Sequence, residues 1–162
     1  MKNKILVLLL TIVSIGLFAQ DLPTASANGF TFPLRNKFTI KLYPIDSNSF
    51  NYSIIEFEPF EEIIDYWDND NLFEKKRKKG TIEFYFCLAT SGETEEEHKE
   101  KMKTVLLMKN RTEYNLSYQS DIQREEDGEF EKTSNVGTFS GAIGTEMWPY
   151  MIYQIGLSQI VQ

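Results

Sequence analysis

The stretch Thr81-Ile82-Glu83-Phe84-Tyr85-Phe86-Cys87-Leu88-Ala89-Thr90 constrains the fold more than any other part of this chain. Extended, it sends Ile82, Phe84, Phe86 and Leu88 to one side. Glu83, Tyr85, Cys87 and Ala89 go to the other. From Tyr85 onward both sides are apolar, so such a strand has to be covered on both faces. Its aromatic content favours an extended backbone. Lys79-Gly80 marks its start and Ser91-Gly92 its end, leaving a run too short for a full helix. Lining an aromatic pocket is the functional use of such a stretch, but packing as a central core strand is the expected one.

The first residues are a different kind of text. Lys2 and Lys4 precede an apolar run, Ile5 to Ile15, broken only by Thr11 and Ser14. Gly16-Leu17-Phe18-Ala19 ends on a small residue before Gln20. This is the order of a secretory signal peptide, and its short form resembles bacterial export leaders. The run is shorter than the roughly 20 residues a membrane span needs. Residues 1–19 are therefore expected to be removed, with no stable membrane anchor afterwards. The expected location is the periplasm or the exterior of a bacterium. No cysteine stands at the boundary to take a lipid. The remainder divides into a loosely ordered segment, 20–36, and a single domain, 37–162, of ordinary size.

Removing Lys2 and Lys4 leaves 15 basic residues against 24 acidic ones, a net charge of −9. Such a chain repels nucleic acid as a whole. Its charge favours a partner with a basic surface or simply keeps the chain soluble, and solubility alone is the expected reason. Cys87 is the only cysteine, so no disulfide can close within the chain.

Along the domain, Phe30-Thr31-Phe32 suits a short edge strand. Lys37–Ile45 and Phe50–Phe57 alternate, and Asp46-Ser47-Asn48-Ser49 turns between them into a hairpin. At 59–67 the period changes. Phe60, Ile63, Ile64 and Trp67 fall on one helical stripe, with Pro59 ahead and Glu61 and Glu62 near the positive end. That spacing predicts a short helix packed on the sheet. The charged stretch 91–103 is either an exposed helix, with Thr94 and Glu97 as a capping box, or a long loop. Residues 104–108 should pair with 81–90. Tyr114–Gln123 alternates cleanly, Asp127-Gly128 signals a tight hairpin, and Phe130–Phe139 should return against it. Residues 140–145 suggest a flexible loop, and Met147–Ile160 a closing strand.

Catalytic equipment is sparse. His98 is the sole histidine and lies in the charged 91–103 stretch, while Cys87 lies on the central strand. A Cys–His pair needs a partly exposed thiolate within reach of the imidazole, which this placement disfavours. Two histidine ligands or a cysteine zinc site are impossible. Asp68-Asn69-Asp70-Asn71 resembles the opening of a calcium loop, but Leu72 and Phe73 break the ligand pattern and Lys79 replaces its closing Glu. Glu56, Glu58, Glu83 and Asp121 are the acids from which a glycosidase pair would be drawn, Glu83 foremost, with an ion-paired role for Glu83 the safer expectation. The basic run Lys75–Lys79 is of the kind that touches an anion, but a solvated connection neutralised by nearby acids such as Glu93 to Glu97 is the expected reading. The sequons at Asn51, Asn110 and Asn115 matter only in a eukaryotic secretory pathway.

These observations predict an all-β or β-dominated fold, an antiparallel sandwich or curled sheet of seven to nine strands with one short helix near 59–67. No catalytic, cofactor or metal residue is assigned. The expected function is an exported, non-enzymatic binding protein, such as an inhibitor or immunity-type factor. An acidic face at 91–103 or 121–131 would meet a basic protein. The alternatives are a carbohydrate- or lipid-binding module, marked by exposed Trp67 or Trp148, and a carboxylate-dependent hydrolase.

Overall fold

The computed structural model describes residues 22–162 except 24, 74, 76 and 77. The expected leader, 1–19, lies outside the described residues, as do positions 76 and 77 of the basic run. Among the described residues ten strands follow in order: β1 (Gly29–Pro33), β2 (Asn36–Pro44), β3 (Ser49–Pro59), β4 (Ile63–Asp65), β5 (Thr81–Thr90), β6 (Lys103–Asn110), β7 (Ser117–Gln123), β8 (Phe130–Thr133), β9 (Ile143–Trp148) and β10 (Gln154–Val161). One α-helix, α1 (Glu95–Glu100), joins β5 to β6, and a 3-10 turn at Asp70–Leu72 follows β4.

All ten strands share one sheet. Its path is β8-β7-β10-β3-β2-β5-β6-β9, with β1 added to β10 and β4 to β5. The sheet curls strongly into a half-barrel, as the β-dominated pattern predicts. Every pairing is antiparallel except β4 with β5.

All ten residues of β5 are buried. Its two side-chain rows enter two separate cores, as alternation requires. Ile82, Phe84 and Phe86 join Phe32, Phe38, Leu106 and Trp148 inside the curl. Tyr85, Cys87 and Ala89 join Val105 and Leu107 on the outer side, beneath Ile64 and Phe73. The excursion between β3 and β5 is therefore the outer lid of the central strand.

That excursion corrects the helix expected at 59–67. β3 runs on through Pro59, and Ile63–Asp65 is a strand. β2 pairs with β5 only from Thr81 to Phe86, while β4 pairs with Leu88–Thr90 along β5. A polar backbone edge beside a buried layer needs partners, and β4 supplies them where a two-turn helix would not. The helical stripe is split accordingly: Ile64 is buried, whereas Ile63 and Trp67 face solvent. The short helix of the fold is α1, opened by Thr94 and Glu97 as a reciprocal capping box.

Other boundaries differ as well, β7 beginning at Ser117 and β8 ending at Thr133. The expected strand Met147–Ile160 is divided into β9 and β10, with Pro149 in the break, where it has no N–H to give a ladder. The loop expected at 140–145 becomes β9 from Ile143. The Asp127-Gly128 hairpin is a wider connection. β7 and β8 close at Gln123 opposite Phe130, and the turn between them is tied by Gly128 N–H to the Glu125 carbonyl at 3.0 Å. The Gln123 amide fills the wider loop by donating to the carbonyls of Glu126 and Gly128.

Phe30 and Phe32 lie in β1. Phe32 is buried and stacks on Phe38 with centroids 3.7 Å apart. Opposite residues Phe30 and Leu157 are bridged by the buried Tyr52 hydroxyl, which accepts from Phe30 N–H at 2.9 Å and donates to Leu157 C=O at 2.6 Å. Burial raises the Tyr52 phenol above its ordinary range.

Candidate functional site

The registers of β2 with β3 and β5 gather three of the four acids named from the sequence. Thr39 stands opposite Glu56 on one side and Glu83 on the other, and Lys37 stands opposite Glu58. Lys37, Thr39, Glu56, Glu58 and Glu83 line one small cavity on the outer sheet surface. Each acid has a partner of its own. Thr39 Oγ1 donates to Glu56 at 2.8 Å, Lys37 Nζ lies 2.9 Å from Glu58, and Arg111 Nη2 lies 3.0 Å from the buried Glu83. The enclosed space is about 10 Å³, the room of one water centre rather than a sugar ring. Asp121 lies elsewhere, on β7, where Gln119 Nε2 donates to it at 2.7 Å.

Cys87 and His98 have separate structural surroundings. Cys87 is fully buried in the outer core, and burial pushes its thiol up to about 12. His98 Nε2 lies 2.8 Å from the Gly92 carbonyl, tying the start of the 91–103 connection to α1. Among the described residues no hydrogen bond joins the two.

The sequence reading missed a buried acid. Glu146 shares the inner parity of β9 with Gly144 and Trp148, opposite Leu106 of β6. It is only 7% exposed and accepts a hydrogen bond from the Tyr118 hydroxyl of β7. Burial raises its carboxyl to about 7, against a smaller lowering by the Tyr118 bond. Tyr118 is itself raised, by burial first and then by the facing carboxylate. The available signal was the parity of Glu146 with Trp148, hidden when the strand is started one residue later.

Trp67 is the other surprise. Its predicted place was against the sheet, yet it is 80% exposed. The turn holding it is well tied. Asp65 Oδ1 accepts from Trp67 N–H at 2.7 Å, and Tyr66 N–H donates to Thr90 C=O at 3.3 Å. Ser91 Oγ donates to the Tyr66 hydroxyl at 2.6 Å, while Lys103 Nζ lies 5.2 Å from the Tyr66 ring centre. These bonds bring the Trp67 turn beside the segment leading into α1. Exposed Glu62, Asp65 and Asp68 thus share one end of the molecule with exposed Glu93, Glu95 and Glu96. Trp148, in contrast, is a core residue whose Nε1–H donates to Thr133 Oγ1 at 3.0 Å.

The arrangement offers an exposed indole on a tied turn among carboxylates, suited to contact with a cationic surface. Comparison with known proteins adds no assignment, since no family model, curated protein or solved structure matches this chain.

Proposed function

We propose that this chain is an exported, non-enzymatic binding protein that docks a basic partner protein through the Trp67 end. An inhibitor or immunity-type factor is one form such a protein takes. Export is supported by the leader-like pattern of residues 2–19. The non-enzymatic reading is supported by the inert setting of Cys87, the backbone engagement of His98 and the partners held by Glu56, Glu58 and Glu83. The observation that carries the docking reading is the 80% exposure of Trp67 on a tied turn beside six exposed acids. An exposed indole supplies a large apolar anchor, and the acids supply attraction and orientation for lysine or arginine.

The test is capture from a periplasmic extract by immobilised wild type, Trp67→Ala, and a Glu95→Gln/Glu96→Gln variant, at about 50 and about 500 mM salt. A basic protein should be retained at low salt and lost at high salt. Trp67→Ala should reduce its retention roughly tenfold or more. Capture indifferent to salt and to Trp67 would refute the reading.

A carbohydrate-binding reading has one observation in its favour. An open groove of about 510 Å³ runs over Gly29 and Gly156, between Phe30 and Phe130, with Asp121 beside it. Retention on a glycan array that Asp121→Ala abolishes and Trp67→Ala leaves intact would select that reading instead.

A further inference from the structure

Lys78 and Lys79, the end of the basic run, precede β5 at the opposite end of that strand from Trp67. Ten residues of strand separate the two ends, about 30 Å. Thr81 Oγ1 donates to the Lys78 carbonyl at 2.7 Å, a local turn that leads from Lys78 and Lys79 into β5. Gly80 takes a φ of +77°, a conformation glycine adopts without strain. Its N–H donates to Arg111 C=O at 2.9 Å, and Arg111 N–H donates to Thr81 C=O at 2.9 Å. On the other flank, Lys41 of β2 stands opposite Thr81. Lys41, whose Nζ also lies 5.2 Å from the Tyr43 ring centre, Lys79 and Arg111 thus come from three neighbouring chain segments to line one rim.

Beneath that rim lies a cavity of about 680 Å³. This is within the size range of small-molecule sites. Its apolar lining comes from Leu42, Phe50 and Tyr114, and the last two rings sit 5.0 Å apart. Phe50 belongs to the inner core, so the floor of the cavity is continuous with the interior of the curl. Two acids oppose the cations: Glu83, 3.0 Å from Arg111, and the exposed Glu113 on the lining. Glu83 fixes the Arg111 guanidinium, and Lys41 and Lys79 then exceed Glu113. A local surplus of positive charge on a chain of net −7 marks this mouth off from the rest of the surface.

We infer that this cavity binds an amphiphilic anion, a small molecule with one carboxylate, phosphate or sulfate head and an apolar body. The head lies against Lys41, Lys79 and Arg111, where charge-assisted hydrogen bonds form. The body covers the half-buried Leu42 and Tyr114 over the buried Phe50, and burial of the surface those two still expose drives association. Neither part suffices alone. A bare anion gains only screened attraction at an exposed rim, and a neutral amphiphile leaves the cations without a counter-charge.

The probe is monomeric dodecanoate, titrated calorimetrically into the wild-type protein and into a Lys41→Glu/Lys79→Glu variant. Circular dichroism reports whether the variant is folded, and Lys79→Glu alone, on an exposed turn, is the fallback. Acetate supplies the head without the tail, and decyl maltoside below its micelle concentration supplies a tail with a neutral head. Phosphatidylglycerol vesicles present the same chemistry as a surface. Dodecanoate should bind at one site, with the charge-reversed variant weaker by roughly tenfold or more. Acetate and decyl maltoside should bind at least tenfold more weakly than dodecanoate. Equal binding of the neutral amphiphile, no effect of charge reversal in folded protein, no binding at all, or binding to vesicles alone would each overturn the inference. Trp67→Ala should leave dodecanoate binding unchanged, so this result stands or falls apart from the docking reading.

Discussion

Glu146 is a buried acid whose carboxyl receives the Tyr118 hydroxyl. Its carboxyl is raised from 4.5 to about 7, chiefly by burial. Between those values the folded chain keeps a proton that the unfolded chain has lost. The folded state binds more protons there, so stability falls as pH rises through the window and is fully reduced above it. A shift of this size corresponds to about 3 kcal/mol. Thermal denaturation should therefore give a lower Tm at about pH 8 than at about pH 5, and Glu146→Gln should flatten the difference. A profile that Glu146→Gln leaves as steep as before would show that other groups govern it. Asp46 and Glu97 act in the opposite sense at lower pH. Their carboxyls are lowered, Asp46 first by the Ser49 hydroxyl and Glu97 first by the Glu93 N–H, so their contributions are lost only on acidification.

At the scale of elements, α1 and β4 are two answers to the same question of how a short segment is stabilised. α1 has six residues, none of them buried, so its order comes from its cap. The Thr94 hydroxyl accepts from Glu97 N–H at 3.2 Å, while the Glu97 carboxylate accepts from the N–H groups of Glu93 and Thr94. Thr94→Ala should cost about 1 kcal/mol locally. Hydrogen exchange should then quicken at residues 97–101 with little change in β5 or β6. Equal loss of protection throughout the sheet would mean that α1 is coupled to the core after all. β4 takes its stability from the edge of β5 and from the burial of Ile64, which is why a helical spacing there ends in a strand.

At the scale of the whole molecule, the curl is closed by side chains where the backbone ladder stops. β8 and β9 are the two ends of the strand path, yet Trp148 of β9 donates to Thr133 of β8, and Glu146 of β9 receives the Tyr118 hydroxyl of β7. β10 holds the other side together, pairing with β1, β3 and β7 at once. Deleting residues 154–162 removes the partner of all three, and Ile155, Leu157 and Ile160 with it. The truncated chain should lose its cooperative thermal transition, as followed by near-ultraviolet circular dichroism. A retained transition would show that β10 is an accessory strand.

The sequence alone determined the period-two strands, the two-sided burial of 81–90, the β2–β3 hairpin with its Asp46 turn, the β5–β6 pairing and the cap at Thr94 and Glu97. These depend on alternation and on bonds between near neighbours, which a chain carries wherever it goes. It also placed Glu56, Glu58 and Glu83 under suspicion together, but not the partners that tie each of them. Only the tertiary structure decided that 63–65 is a strand, that Trp67 faces water, that Glu146 is buried, and that Lys41, Lys79 and Arg111 share a rim. Each of those depends on which distant segment lies alongside, and an open β-edge or a curl of the sheet overrides local spacing when it leaves polar groups to satisfy or apolar surface to cover.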